Sequence, residues 1–251
     1  MSPNVLISVF WVSSLVLNCG LVAVLLGKGA LRKFPFFATY AIFTLFSSGL
    51  CYLVRSLWAI DGGIYRYTFW SCEGIGVILG FAVVYEVFGK LLTPYPALRR
   101  LAFSIFQWST LMLVLMGCLA VYAQSAAEHN KFMAAVMRVE EATRIIEVGL
   151  LMFLFVFSTA FGLHWRQCLF GMALGLGIFA TVELVAITMQ NYWGVSANHS
   201  FSMVRSIAFN ISQMVWAGYL LAPEKETSLA ETAPHKQLEQ WNQVLTEFIY
   251  Q

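Results

Sequence analysis

Arg138-Val-Glu-Glu-Ala-Thr-Arg-Ile-Ile-Glu147 carries five charges directly into a long apolar segment. Glu140, Arg144 and Glu147 stand at i, i+4 and i+7, so they share one helical face on which opposite charges can pair. Carboxylates and guanidinium groups held in apolar surroundings bind ions, relay protons or lock helices together. Four more charges, Arg55, Glu73, Glu183 and Arg205, lie four to six residues in from one end of other apolar runs. At 1.5 Å per residue this is a common depth of ~6 to 9 Å. The candidate layer is therefore Arg55, Glu73, Arg144, Glu147, Glu183 and Arg205, three charges of each sign. A neutral set can pair internally and fix helix register. It can equally line a pocket that takes a small polar or charged ligand from outside, and some members can snorkel to lipid headgroups.

Other chemistry finds few residues to carry it. Asp61 is the single aspartate and sits between apolar runs, so aspartyl proteolysis and most two-metal sites lack carboxylates. No Gly-x-Ser-x-Gly occurs. His129, His164, His199 and His235 fall in loops, in the tail or at helix ends, which gives no axial haem pair and no zinc cluster. The last apolar run has no lysine for a Schiff base. Glu140-Glu-Ala-Thr-Arg144 is one residue shorter than the Glu-Glu-xxx-Arg motif of the membrane proteases that process prenylated proteins, which turns the arginine by ~100°. The expectation is no catalytic residue, no metal and no cofactor.

The elements that must position the charges follow from composition. With 59% hydrophobic and 11% charged residues among 251, the chain cannot cover a soluble domain with polar side chains. Seven runs approach the ~20 residues that cross a bilayer: Val5 to Leu26, Phe36 to Ile60, Tyr67 to Phe88, Leu101 to Tyr122, Ile145 to Leu163, Cys168 to Met189 and Phe201 to Leu221. The predicted fold is all-α, a polytopic bundle of seven transmembrane helices over residues 1–222, embedded in lipid. Lys28, Arg32, Lys33, Lys90, Arg99, Arg100 and Arg166 gather in the odd-numbered connections. The positive-inside rule then puts the N-terminus outside and the C-terminus in the cytoplasm. Basic residues follow the first run instead of preceding it, unlike a cleavable signal. A net charge of +2 without a basic face gives no reason to expect nucleic acid.

Finer features refine the bundle. Gly76-xxx-Gly80 and Gly171-xxx-Gly175 predict close helix approach. Glu86 stands four residues before Lys90, a local ion pair, and Asn210, Ser212 and Gln213 are polar enough to bond between helices. Cys19, Cys51, Cys72, Cys118 and Cys168 read as small apolar packers. Ser125-Ala-Ala-Glu128 has the form of a capping box, so the fifth long helix is predicted from about Ala126 to Leu163. Residues 223–251 form a tail in which Leu238, Trp241, Leu245 and Phe248 recur at helical spacing. This predicts an amphipathic helix that docks a cytoplasmic or membrane protein partner.

Phe34-Pro-Phe-Phe-Ala-Thr-Tyr40, Tyr85-Glu-Val-Phe88 and Phe170-Gly-Met-Ala-Leu-Gly-Leu-Gly177 together resemble a group of seven-helix bacterial integral membrane proteins without an assigned activity. The resemblance implies a fold and the bacterial cytoplasmic membrane, but no chemistry. The functional expectation is a non-enzymatic, receptor-like sensor or subunit of a membrane complex. The alternative is a small-solute or proton-coupled transporter that uses the buried glutamates.

Overall fold

The proline and glycine positions explain where the helices begin and end. Pro3, Pro35 and Pro96 each occupy the first position of a helix, where a missing N–H costs nothing. The computed structural model describes residues 3–57, 63–93, 96–123, 131–160, 167–193 and 198–222, without some of the side chains in these segments, among them that of Arg55. Every element there is helical: α1 (Pro3–Gly27), α2 (Ala30–Lys33), α3 (Pro35–Leu57), α4 (Gly63–Leu91), α5 (Pro96–Ala123), α6 (Lys131–Ala160), α7 (Gln167–Trp193) and α8 (Asn198–Leu221). The chain turns from α1 into the one-turn α2 at Gly29, whose φ of 62° is left-handed and suits a residue without Cβ.

Three of these helices are long and apolar enough to cross a membrane: α3 over Pro35–Val54, α4 over Gly63–Leu91 and α7 over Gln167–Met189. Large apolar side chains such as Val16, Phe46, Ile78, Trp108 and Val156 lie exposed on the outside of the bundle, a surface suited to lipid tails. Hydroxyls on the spans do not need water. Thr44 and Thr188 donate to carbonyls one turn back, at 2.7 and 2.8 Å.

The long helices close into a ring in the order α1, α3, α4, α6, α7, α8 and back to α1, while α5 touches only α4 and α6 among the described elements. Within the ring an aromatic group carries the core. Phe37 and Tyr40 of α3 meet the edge of Trp216 of α8 at 5.3 and 6.0 Å between centroids. The Trp216 indole N–H donates to the Met172 carbonyl at 3.3 Å, tying α8 to α7. Gly171 and Gly175 make that approach possible, because a Cβ on either would run into Tyr219 or Trp216. Gly76 has open space beside it, so no neighbour demands a glycine there.

Polar links at the helix ends set register. Glu86 Oε2 accepts the backbone N–H of Phe37 at 2.9 Å in the first turn of α3, and its Oε1 stands 3.3 Å from Lys90 Nζ. A carboxylate at a helix N-terminus complements the unpaired N–H groups and the dipole there. Lys28 does the converse for α8, donating to the Leu220 carbonyl at 2.6 Å. Asn210 joins α8 to α1. It accepts from the Ser14 hydroxyl at 2.6 Å and donates to Ser13 Oγ at 3.0 Å.

Several expectations change. Ser212 and Gln213 are buried, yet Ser212 Oγ and both polar atoms of Gln213 make no hydrogen bond, so of the three polar residues only Asn210 is seen to act as glue. Of the cysteines whose side chains are described, Cys19 is exposed and Cys51, Cys72 and Cys168 are half-buried, with Cys168 packed against the apolar core. The free thiols of Cys51 and Cys72 hydrogen-bond to each other across α3 and α4. The capping box, Asp61, the side chains of the four histidines and the whole tail, with Leu238, Trp241, Leu245 and Phe248, lie outside the described residues.

Candidate functional site: a buried carboxylate cluster

Helical spacing puts Glu140, Arg144 and Glu147 on one face of α6, and the contacts of α6 with α4 and α7 turn that face inward. There Arg144 is the hub. Its Nη1 donates to Glu147 Oε2 at 2.9 Å, and its Nη2 lies 2.9 Å from Glu183 Oε2 on α7. The first contact is a hydrogen bond. The second is a charge contact at an angle outside hydrogen-bond geometry, so that oxygen remains without a donor. The guanidinium also lies over the Phe179 ring, 5.0 Å from its centroid, which adds a cation–π attraction on the apolar side.

Glu73 of α4 meets Glu140 of α6 and Glu183 of α7 within the same space. One carboxylate oxygen from each lies within 4.8 Å of the others. Glu140 and Glu183 are buried and Glu73 is half-buried, so Glu73 forms the more open side. Glu147, only 1% exposed, packs against Gly80 of α4, where an added Cβ would come within 3.1 Å of its Oε1. A side chain at Gly80 would press on that carboxylate, which gives a specific reason for one glycine of Gly76-xxx-Gly80. Arg205 of α8 acts electrostatically on both Glu73 and Glu140.

Five of the six layer residues thus fall in one neighbourhood: Glu73, Arg144, Glu147, Glu183 and Arg205. The side chain of the sixth, Arg55, is outside those described. The shared face left either glutamate of α6 open to Arg144; it pairs with Glu147 on its own helix and with Glu183 across on α7. Glu140, 5% exposed, keeps an Oε1 that accepts no hydrogen bond. It belongs to the cluster although the depth count left it out, because that count began at the apolar run and Glu140 precedes it. The signal that could have found it was the i, i+4, i+7 face itself.

This addition changes the electrostatics. Among the described side chains, Glu73, Glu140, Glu147 and Glu183 stand against Arg144 and Arg205, so the ionised cluster is acidic by two charges. Internal neutrality, the premise of a purely structural ion-pair layer, does not hold for them. An acidic excess shut away from water attracts protons or cations. Comparison with known proteins adds no constraint, since no family model, curated protein or solved structure matches this chain.

Proposed function

We propose that this chain is a polytopic protein of the bacterial cytoplasmic membrane. It has seven spanning helices, its N-terminus outside and its C-terminus in the cytoplasm, and it acts as a receptor-like sensor or complex subunit that binds a cationic ligand at the buried carboxylate cluster. The observation that carries this reading is the excess, among the described side chains, of Glu73, Glu140, Glu147 and Glu183 over Arg144 and Arg205 inside the helix ring. A positive ligand relieves repulsion among groups on α4, α6 and α7 together, so occupancy biases how those helices pack. The tail at residues 223–251, through Leu238, Trp241, Leu245 and Phe248, would pass that bias to a protein partner.

The same excess supports a second reading, a proton-coupled transporter in which these glutamates take up and release protons. Purified protein in liposomes holding a pH-sensitive dye separates the two. A sensor leaves the internal pH unchanged when an outward or inward proton gradient and a panel of small solutes are applied. Solute-dependent proton flux that Glu140→Gln abolishes would establish the transporter and refute the sensor.

A further inference from the structure

The reading above leaves the cation unspecified; the donor set narrows it. Glu73, Glu140 and Glu183 offer oxygen atoms only, without histidine or cysteine, and such sets favour hard cations such as Mg2+, Mn2+ and Ca2+. Metal–oxygen distances run from about 2.1 Å for Mg2+ to about 2.6 Å for Ca2+, so oxygens that share one ion stand no more than about 4 to 5 Å apart. The oxygens of the three carboxylates, within 4.8 Å of one another, meet that limit.

Two observations beyond the clustering point the same way. Glu140 is buried, and its Oε1 has no hydrogen-bond partner although the group sits where desolvation makes an unsatisfied oxygen costly. Moreover, the cluster's excess among described side chains is two negative charges, which one divalent ion cancels. Arg144 does not fill this role. Its contacts go to Glu147 and Glu183, which holds the α7 carboxylate in place and leaves Glu140 and Glu73 facing each other.

We propose that Glu73, Glu140 and Glu183 form a site for one divalent cation of the Mg2+, Mn2+ or Ca2+ class, with water completing the shell and Glu73 on the side of entry. This rests on the cation-binding reading and names its ligand.

The test uses the full chain in detergent, freed of metal with a chelator and titrated with Mn2+, free ion being read by electron paramagnetic resonance. One saturable Mn2+ per chain is expected, displaced by excess Mg2+ or Ca2+. Glu140→Gln should weaken binding at least tenfold, the scale on which metal sites respond to loss of a supporting group. Glu73→Gln, at the more open position, gives the same loss should the first variant fold poorly. Glu86→Gln, a carboxylate 13 residues away from Glu73 on α4, should leave it unchanged. Absence of saturable binding to the wild type, or equal losses in Glu140→Gln and Glu86→Gln, overturns the site. Thermal stabilisation by spermidine or choline is measured in parallel. If it occurs without Mn2+ binding, the cation reading stands and the divalent site falls; if neither occurs, both fall.

Discussion

The acidic excess among the described side chains predicts that removing different members of one ion-pair network has unequal consequences. Take Glu183. At an effective dielectric of about 20, its 2.9 Å contact with Arg144 is worth about 6 kcal/mol of attraction. Its separation of up to 4.8 Å from Glu73 and from Glu140 gives at least about 3.5 kcal/mol of repulsion for each, at least about 7 in all. Repulsion therefore at least offsets the attraction, and Glu183→Gln in chelator should cost no more than about 1 kcal/mol and is free to stabilise. Arg144→Gln removes attraction to Glu147 and Glu183 at once and strands buried carboxylates, which costs on the order of 3 to 5 kcal/mol. For a chain of this size that is a drop of about 10 °C in Tm. Intrinsic tryptophan fluorescence on heating in detergent reads both. If Glu183→Gln falls as far as Arg144→Gln, the carboxylates do not repel one another as ionised groups, and the account of the cluster as an unsatisfied acidic site is wrong.

Two further predictions concern the frame around the site. Gly175→Ala places a methyl group against the Trp216 indole, which is 1% exposed and cannot retreat, so it should cost about 1 to 3 kcal/mol and weaken the Trp216 to Met172 hydrogen bond; an unshifted Tm would mean that α7 and α8 separate easily. Glu86→Ala leaves the Phe37 N–H buried without its acceptor and Lys90 without its partner, an expected loss of about 1 to 3 kcal/mol, whereas Glu86→Gln keeps an acceptor and should recover most of it. Equal Tm values for the two Glu86 variants would remove the cap from the account of α3.

What could be read ahead of the structure was decided by the range of each interaction. Helix positions depend on local runs and punctuation, so Pro35 marked the start of α3 and the apolar runs marked the long helices, whereas α5 begins at Pro96, five residues before the apolar run that opens at Leu101. The Glu86–Lys90 pair is also local, one turn apart, and was legible for that reason. The acceptance of the Phe37 N–H by the same carboxylate spans 49 residues and depends on where α3 starts against the end of α4, which no spacing encodes. Depth counting brought Glu73, Glu183 and Arg205 toward Arg144 because residues at one depth in adjacent helices are near each other. It could not say that α4, α6 and α7 are mutual neighbours, nor that Glu140 reaches down to them.

That neighbour relation is also what the proposed sensor reading rests on. Each carboxylate of the trio comes from a different helix, so the repulsion among them is borne by the α4–α6, α4–α7 and α6–α7 interfaces and not within one element. Arg144 ties α6 to α7 through Glu183, while α4 has no ion pair to that hub among the described residues; it presents Glu73 and, at Gly80, only the close surface against Glu147. Of the three, α4 is therefore the helix whose position depends most on what neutralises the space between the carboxylates. On the proposed cation-binding reading, a bound cation would draw Glu73 toward Glu140 and Glu183, and its loss would let α4 relax away. Because α4 also carries Glu86, which caps α3, a shift of α4 along its axis is transmitted to the start of α3. The charge that fills the cluster and the packing of the opposite end of the bundle are linked through one continuous helix.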